Sequence, residues 1–574
     1  MSTIDWLVLL STLSLIVIYG IWKSRKNRNI EDYLLGGKSM KWWTIGLSIM
    51  ATQASAITFL STPGKAFEDG MGFIQFYFAM PLAMVLIAAF VIPMYHRLKV
   101  YTAYEFLEQR FDLKTRWLTS FLFMINRGLS VGLTIYAPSI ILSSVLGWDL
   151  TITNIFMGGL VVFYTVSGGA TAVGQTHKLQ MAVMIGGMLC ALYLIFDMLS
   201  PYVSVSEAVE LAGAMGKMEI VDTEFDPGSR YNLWSGLIAG LFLFLSYFGT
   251  DQSQVQRYLS GKNLREMKLG LIFNGLFKIP MQLMILFVGV MVFIFFQFNS
   301  APIFFNTTEL AKVEHVTSLN EIKLNYDSLQ SEKRQKIITH FENESSAKER
   351  DMSIFKNELM TLERSISNER SAFKSTFEKV QPNSESNDGD YVFIYFILNY
   401  LPVGIVGLLL AVIFCGAMSS TSAELNALSS ATMIDVYKRS IRPNESENHY
   451  FQRSKWITLA WGIVAILFAN LFNLFDNLIE LVNIIGSLFY GTILGIFIVA
   501  FFIPFVKSRA IFIAGVISEL IILGIYFLSQ EEFCQNYLGQ STKILELEYL
   551  WLNIIAPCIV IVLSLLFQSM MKRK

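Results

Sequence analysis

Runs of apolar residues alternate with short polar segments along almost the whole chain. A hydropathy window of about 19 residues separates thirteen such runs. They lie near residues 3–22, 40–62, 73–96, 115–145, 150–167, 174–199, 231–256, 269–298, 392–424, 454–474, 478–506, 508–529 and 549–570. A helix needs about 20 residues to cross the hydrocarbon core of a bilayer. The pattern therefore predicts an all-α polytopic membrane protein with about 13 transmembrane helices.

Composition supports this interpretation and narrows the class. Of the 574 residues, 53% are hydrophobic and 16% are charged, and the mean hydropathy is +0.50. These values are too apolar for a soluble protein of several domains and are typical of a protein whose main partner is the lipid bilayer. The net charge of -1 identifies no partner, and we expect no nucleic acid among them.

Cysteine usage and the first apolar run exclude two further interpretations. Three of the four cysteines, Cys190, Cys415 and Cys558, fall inside apolar runs and Cys534 lies in a loop, so no disulfide framework or cysteine metal site is predicted. The positive charges of the N-terminal segment follow its apolar run instead of preceding it. That order predicts a retained first span rather than a signal peptide.

Lysine and arginine cluster in alternate loops, which predicts the orientation of the chain. The clusters are Lys23, Arg25, Lys26 and Arg28; Arg97 and Lys99; Arg257, Lys262, Arg265 and Lys268; Lys438, Arg439 and Arg442; Lys507 and Arg509; and Lys572, Arg573 and Lys574. The positive-inside rule places these loops in the cytoplasm. The loops at 146–150 and 473–477, which lack both residue types, are then outside. We expect a multi-pass protein of the plasma or inner membrane with its N-terminus outside and its C-terminus cytoplasmic.

One long polar segment, residues 305–390, interrupts the series of spans and by parity lies outside the cell. Seven apolar residues in it follow a 4-3 spacing, which is the seam of a coiled-coil-like helix. They are Phe355, Leu359, Leu362, Ile366, Phe373, Phe377 and Val380. Two interpretations stay open: a helical hairpin that caps the protein, and a docking surface for an outer partner.

Two of the predicted spans carry an unusual number of oxygen atoms. Residues 411–438 contain Ser419, Ser420, Thr421, Ser422, Ser429 and Ser430 around the carboxylate of Glu424. Residues 49–70 contain Gln53, Ser55, Thr58, Ser61 and Pro63, a composition that suits an interrupted helix. Hydroxyl groups in a membrane either pack against other helices or face a polar site. An interrupted helix would expose carbonyl oxygens, and carbonyls with two hydroxyls suit a hard monovalent cation.

Five segments resemble the sodium/solute symporters, a family that includes sodium/glucose, proline, sialic acid, monocarboxylate, multivitamin and iodide transporters. The segments are SAITFLSTPGKAFEDG (55–70), YTAYEFLEQRF (101–111), SGGATAVGQTHKLQ (167–180), GTDQSQVQRYLS (249–260) and MSSTSAELNALSSATMIDVYK (418–438). The resemblance covers nearly the whole chain apart from residues 305–390. It implies a LeuT-like fold, in which two units of five helices are related by an inverted repeat and hold ion and solute near mid-membrane.

This resemblance also implies a division of the chain into segments. They are an extra span with a cytoplasmic loop at 1–39, the first inverted repeat at 40–199, an extracytoplasmic loop at 200–230, the second repeat at 231–304 and 391–506, the helical insert at 305–390, and two C-terminal spans at 507–574.

A sodium ion is the co-transported ion that the resemblance implies. Its ligands are expected to be the carbonyl oxygens of Ala51, Ala54 and Gly416 and the hydroxyl oxygens of Ser419 and Ser420. Where many members of the family have an acidic residue associated with sodium release or a second sodium, this chain has His177. A neutral histidine cannot replace a carboxylate as a sodium ligand, so we expect either a structural hydrogen bond or a pH-sensitive gate there.

Seven residues are candidates for binding the solute. They are Thr58, Gln75, Tyr77, Arg127, Tyr247, Lys278 and Asn483. The carboxylate that grips sugar hydroxyls in the bacterial sodium/galactose relatives corresponds to Tyr77, which makes a poor sugar site. Lys278 lies roughly 15 to 18 Å into its span at helical rise, and Arg127 lies at similar depth. These cations either bind an anionic solute or pair with Asp251 or Glu424.

The residues together predict a sodium-coupled symporter that imports a small organic anion such as a monocarboxylate or vitamin-like acid. A sodium/sugar or polyol symporter is the alternative within this class, and a membrane sensor built on the transporter fold is the alternative outside it. The chain ends at SMMKRK, without the signalling domain expected of a sensor. We expect no enzyme, because the polar residues form no nucleophile or metal constellation.

Overall fold

The structure is a computed structural model that describes residues 1–25, 29–313, 315–343, 352–381, 388–471, 478–538 and 542–572. Four of the charged residues used to predict the orientation, Lys26, Arg28, Arg573 and Lys574, lie outside these ranges, as does the loop 473–477. Across the described ranges the regular structure is helical, with one isolated bridge between Met40 and Gly261. The orientation of the termini stays a prediction.

Seventeen helices or helical stretches build the membrane part and its insert. They are α1 (Thr3–Ser24), α2 (Trp42–Gln53), α3 (Ala56–Asp69), α4 (Gly72–Leu98), α5 (Leu113–Leu146), α6 (Leu150–Leu199), α7 (Ser235–Gly249), α8 (Gln252–Leu259), α9 (Leu264–Phe298), α10 (Thr317–Asn343), α11 (Met352–Val380), α12 (Val392–Tyr400), α13 (Ile405–Ala431), α14 (Glu447–Ala469), α15 (Leu478–Phe502), α16 (Ser508–Leu528) and α17 (Tyr549–Met571). Shorter helices lie at Ile30–Leu35, Glu105–Arg110, Val205–Ala214, Thr307–Lys312 and Glu531–Leu538.

The predicted polytopic architecture is confirmed. Within the described ranges, nine helices are long and apolar enough to cross a membrane, and α2 with α3, bent by 61° at their break, are long and apolar enough to make a tenth if they count as one span. The remaining predicted runs coincide with α7 and α8, with α14, and with the two halves of α6. The halves of α6 meet at Gly169, whose backbone (φ 58, ψ -164) interrupts the helix. A left-handed φ suits glycine because it has no Cβ.

Side chains at the helix starts determine where several spans begin. Ser2 caps α1 in a reciprocal pair with Asp5, Asp112 caps α5 through the amide of Thr115, and Asn263 caps α9. Each cap satisfies an amide that has no partner in the first turn of a helix. These short polar segments therefore set the register of the long apolar helices that follow them.

One predicted boundary is wrong. The run 392–424 was expected to be a single span, whereas the structure has α12 ending at Tyr400 and α13 beginning at Ile405. Pro402 has no backbone amide to continue the hydrogen-bond ladder, and Gly404 has a φ of 90°. Arg257 also differs from expectation, because it is buried in α8 instead of lying in an exposed cytoplasmic loop.

Both predicted repeats begin with an interrupted helix. Between α2 and α3, Ala54 (φ -85, ψ 79) leaves the helical conformation and Ser55 precedes the next helix. Between α7 and α8, Thr250 and Asp251 leave it, and the Asp251 carboxylate caps α8 by accepting from the amide of Ser253. The segment boundaries of the repeats stay a prediction.

The insert contains the predicted helical hairpin. Its helices α10 and α11 pack together, and Leu359, Ile366, Phe373 and Phe377 of the predicted seam are buried. Val380 is 39% exposed, so the buried seam ends before it. The docking surface for an outer partner stays a prediction.

Candidate functional site

The interruption between α2 and α3 exposes a carbonyl oxygen inside the protein. In an unbroken helix the carbonyl of Ala51 would accept from the amide of Ser55. Here the Ser55 amide donates to the carbonyl of Gln53 at 3.1 Å. The Ala51 carbonyl accepts instead from the hydroxyl of Ser419 on α13, at 2.8 Å.

The α13 side of this contact supplies three more oxygen atoms. The hydroxyls of Ser419 and Ser420 donate to the carbonyl of Gly416 at 2.9 and 3.0 Å. Gly416 lies directly against the interruption, since a Cβ built on it would be 2.9 Å from the backbone nitrogen of Ala56. The oxygens of four predicted sodium ligands are thus joined in one hydrogen-bonded chain. The fifth, Ala54, is buried at the interruption itself.

His177 connects this oxygen cluster to two helices. Its Nδ1 shares a hydrogen bond of 2.8 Å with the hydroxyl of Ser48 on α2. Its Nε2 lies 3.3 Å from the carbonyl oxygen of Ser419 on α13. The ring is buried. The expected structural hydrogen bond is therefore present, on both ring nitrogens. A gating role of His177 stays a prediction.

A cavity of about 80 Å³ lies beside the interruption. It is lined by Gln53, Phe76, Tyr77, Arg127, Ser130, Leu243, Phe244, Tyr247, Val482, Asn483 and Tyr490. We call it the central cavity. Four predicted solute residues, Tyr77, Arg127, Tyr247 and Asn483, are among these, so the structure brings them together from α4, α5, α7 and α15.

Arg127 is held in an ion cluster at the wall of the central cavity. Its Nε donates to Asp251 at 2.6 Å and its Nη1 donates to Glu424 at 2.8 Å. Its Nη2 donates to the hydroxyl of Tyr490, which donates in turn to Asp251 at 3.0 Å. The guanidinium also lies 5.0 Å from the centre of the Tyr247 ring. The cluster joins α5, the α7–α8 interruption, α13 and α15.

Lys278 has the opposite environment. Its side chain is buried, and within the described ranges its Nζ has no hydrogen-bond partner. The ammonium lies 6.0 Å from the centre of the Tyr77 ring, which lines the central cavity. Its predicted pairing with Asp251 or Glu424 is absent from these ranges, because both carboxylates bind Arg127.

Two predicted solute residues lie elsewhere. The amide of Gln75 donates to the carbonyls of Gly72 and Tyr231 at 3.3 and 3.2 Å and accepts from the amide of Asp222 at 2.9 Å. Its contacts therefore fasten the 216–232 loop to α4. Thr58 is buried in α3, outside the lining of the central cavity.

Sequence reasoning missed Tyr490, which closes the Arg127 cluster. A signal was present, because Tyr490 follows Asn483 by two helical turns and so lies on the same face of α15. Gln53 was noticed as polar but not assigned, although it belongs to the interrupted segment and lines the central cavity.

Comparisons with known proteins agree with this geometry. The family described as the sodium:solute symporter family matches residues 33–322 and 372–518. Sodium-coupled monocarboxylate transporter 2 of Bos taurus is 26% identical over 508 residues, which cover 88% of this chain and 69% of that protein. The match to the human protein of the same name covers 40% of that protein's length.

Two relatives with other printed substrates are similar over different lengths. The human sodium/iodide cotransporter is 32% identical over 254 residues, 44% of this chain and 39% of that protein. The sodium/sialic acid symporter SiaT of Proteus mirabilis is 24% identical over 544 residues, 92% of this chain and 91% of that protein.

A solved structure shares the fold along almost its full length. It is the substrate-bound outward-open state of a Na+-coupled sialic acid symporter, with a TM-score of 0.73 and 22% identity. The match covers 99% of this chain and 98% of that one. The LeuT-like fold predicted from the sequence is confirmed by this likeness.

Proposed function

Because the chain belongs to the sodium:solute symporter family, we propose that it imports a small organic anion together with sodium. The observation that carries this proposal is the buried chain of oxygens from Ala51, Gly416, Ser419 and Ser420. Carbonyls at an interrupted membrane helix are the groups with which secondary transporters coordinate sodium.

Sodium binding supplies a physical link between two elements. The proposed ligands come from the α2–α3 interruption and from α13, so an ion between them holds these elements together. Gln53, two residues from Ala51, lines the central cavity. Ion and solute therefore act on the same interruption. Their binding free energies are coupled, and the coupling is reciprocal, so that each ligand raises affinity for the other.

Lys278 supports an anionic solute. A buried ammonium without a partner is costly in a membrane and is usually functional. Lys278 is not one of the described residues that line the central cavity, but its ammonium lies 6.0 Å from the centre of the ring of Tyr77, which does line it. The carboxylate of a solute beside Tyr77 would compensate this charge. The relatives named for monocarboxylates, iodide and sialic acid also have anions as their printed substrates.

A neutral sugar or polyol is the second candidate, and one observation favours it. Arg127, the cation that lines the central cavity directly, is already neutralised by Asp251 and Glu424. The phenol and amide groups of Tyr77, Tyr247 and Asn483 could hydrogen-bond to hydroxyls. The two candidates differ in whether a solute must carry charge.

The sodium assignment is tested by replacing both serines, as Ser419→Ala with Ser420→Ala. The ion would lose two ligands, so we expect sodium affinity to fall at least tenfold, about 1.4 kcal/mol. Sodium activation of uptake by proteoliposomes measures this. The matched control is Ser429→Ala with Ser430→Ala, an adjacent pair on the same helix whose hydroxyls donate to the carbonyls of Ser454 and Asn426. Equal sodium activation in both double variants would refute the assignment.

Transport itself is tested with the full chain in liposomes that carry an inward sodium gradient. We expect butyrate or nicotinate to accumulate above its outside concentration, and nicotinamide and galactose not to accumulate. Accumulation of galactose instead would establish the neutral-solute candidate. Saturable binding without sodium-driven accumulation of any of the four probes would favour a sensor and refute the proposal.

A further inference from the structure

A second, larger cavity of about 320 Å³ lies between the hairpin of α10 and α11 and the end of the bundle that it covers. We call it the hairpin cavity. Small-molecule pockets fall in the range of roughly 300–1,000 Å³, so it has room for a solute. The family match stops at residue 322 and resumes at 372, and much of the cavity wall comes from the segment between them.

Aromatic rings form the floor of the hairpin cavity. Phe67, at the end of α3, makes edge contacts with Phe293, Phe296 and Phe305 at centroid distances of 5.4, 6.0 and 5.5 Å. All four side chains are buried and line the cavity. Such a floor suits the apolar body of a ligand.

Positive charge faces this floor from both helices of the hairpin. Arg370 donates to both oxygens of Asp388, at 2.8 and 2.9 Å, and Lys374 pairs with the same carboxylate at 2.8 Å. Two cations thus share one carboxylate, while Lys333 on α10 has its own partner, Glu363, at 2.8 Å.

Lys217 adds a fourth cation from the loop that follows α6. Its ammonium donates to the backbone carbonyl of Glu68 rather than to a carboxylate, and it lies 4.5 Å from the centre of the Phe293 ring. Burial lowers the pKa of Lys217, although nearby carboxylates oppose the shift. Glu68 and Asp69 also line the cavity, close enough to Lys217 to act on its charge, and Asp69 pairs with Lys65 at 2.6 Å.

Two polar atoms in the wall are left without hydrogen-bond partners by the residues that the structure describes. They are Oε1 of Gln297, a residue that is 3% exposed, and Nε of Arg370. Burying a polar atom without a partner costs about 1–3 kcal/mol. Both residues line the hairpin cavity, so each has polar groups at its wall that the described contacts leave incompletely satisfied.

We propose that the hairpin cavity is a binding site for a small organic acid with an apolar body, separate from the central cavity. The carboxylate lies among Lys217, Arg370 and Lys374, and the body lies on the four phenylalanine rings. Lys217, whose described direct contacts are a backbone carbonyl and an aromatic ring, then gains a directly bound anion, which favours its ammonium form.

Binding at this site needs no sodium, because the proposed sodium ligands lie in the interior of the bundle. The test is therefore done with the purified full chain in sodium-free choline buffer, which separates this site from the proposed function. The probes are benzoate and its neutral isostere benzamide, titrated by calorimetry. We expect saturable benzoate binding and at least tenfold weaker benzamide binding.

Two variants locate the site in different ways. Lys217→Gln removes a cation that has no carboxylate in hydrogen-bond contact among the residues that the structure describes. Ser371→Trp fills the cavity while leaving the Arg370–Asp388 pair in place. We expect each to weaken benzoate binding at least tenfold at an unchanged melting temperature. The control Lys336→Gln alters a cation of α10 that pairs at the surface with Glu332 and Glu358 and should bind benzoate like wild type. Benzoate binding that requires sodium, that equals benzamide binding, or that survives both cavity variants would overturn the proposal.

Discussion

Arg127 and Lys278 are predicted to lie at similar depth and both are buried, yet their surroundings are opposite. Arg127 is bound by two carboxylates and a phenol from three other elements. Lys278 is next to aromatic carbon and is offered no hydrogen bond within the described ranges. From sequence position alone, both residues are cations that either bind the solute or pair with a carboxylate. Only the neighbouring side chains in the structure distinguish these two roles.

The difference follows from the chemistry of the two side chains. A guanidinium presents several donors in a fixed plane, so it can bind Asp251, Glu424 and Tyr490 at once and hold their helices together. An ammonium is a point charge that a single solute carboxylate can satisfy. We therefore propose that Arg127 is a structural clamp at the edge of the central cavity and that Lys278 is the charge that binds the solute.

The largest effect is expected when the clamp is broken. Arg127→Met leaves Asp251 and Glu424 buried without their cation, and breaking a buried pair in this way typically costs about 3–5 kcal/mol. We expect a large fall in melting temperature in detergent. Adding Asp251→Asn and Glu424→Gln should restore most of it. An Arg127→Met protein as stable as wild type would contradict the clamp.

Lys278→Met should behave in the opposite way. Its removal takes an unpaired charge out of the bundle, so we expect an unchanged or raised melting temperature. Affinity for the anionic solute should fall by about 2 to 4 kcal/mol, while affinity for its neutral amide changes little. Lys268→Met, near the start of the same helix, is the control. Loss of stability in Lys278→Met with no change in anion affinity would reverse the assignment.

The comparison also shows what the sequence could predict. Depth in a span follows from counting residues along an apolar run, so both cations were predicted to lie at mid-membrane. Pairing depends on which side chains meet across the bundle: Arg127 meets Asp251 and Glu424, which are 124 and 297 residues away. Span counting contains no information about such contacts, and both cations were therefore left with the same two alternatives.

The helix interruptions and the insert illustrate the same limit. The polar composition of residues 49–70 predicted the α2–α3 interruption. The 4-3 spacing of apolar residues predicted the hairpin helix α11. The start of α13 was missed because apolar residues continue across Pro402 and Gly404, and hydropathy gave more weight to them than to these two residues. Gln75 was predicted to bind the solute, whereas its side chain is hydrogen-bonded to backbone groups of a distant loop.

A smaller effect is expected at the phenol that completes the clamp. Tyr490→Phe keeps the ring but removes the hydroxyl that bridges Arg127 and Asp251. Hydrogen bonds to charged groups contribute about 1.5–3 kcal/mol, so we expect a moderate fall in melting temperature. Tyr247→Phe, whose hydroxyl accepts from Gln254 instead, is the comparison. If Tyr490→Phe changed solute affinity and left stability intact, Tyr490 would bind the solute, as proposed for Lys278, and would not be part of the structural clamp of Arg127.

The smallest effect at neutral pH is expected at Asp388. Here two cations share one carboxylate, whereas in the Arg127 clamp two carboxylates share one cation. Burial would raise the pKa of this carboxyl, but Arg370, Lys374 and the amide of Phe305 hold it below its usual value near 3.8. A lowered pKa contributes stability that is complete above the unfolded value and is lost as the pH falls through the folded one. We expect hairpin docking to be constant from pH 5 to 8 and to weaken below about pH 4.

Hydrogen exchange at the Phe305 amide, which donates to Asp388 at 2.6 Å, measures that docking. Asp388→Asn should remove the acid dependence and lower protection at every pH. Exchange that becomes slower in acid would contradict the ion cluster, after correction for the intrinsic pH dependence of exchange.

A symport cycle that carries one sodium, as His177 leads us to predict, has an electrical consequence. The ring of His177 uses both nitrogens on Ser48 and Ser419, and we predict that it binds no second sodium. In a cycle with one sodium and one univalent anion, no net charge crosses the membrane. Membrane voltage, which supplies about 2.3 kcal/mol per 100 mV for each charge moved, then contributes nothing. A tenfold sodium gradient, worth about 1.4 kcal/mol, would concentrate the solute at most tenfold, and depolarising the cell would leave that ratio unchanged.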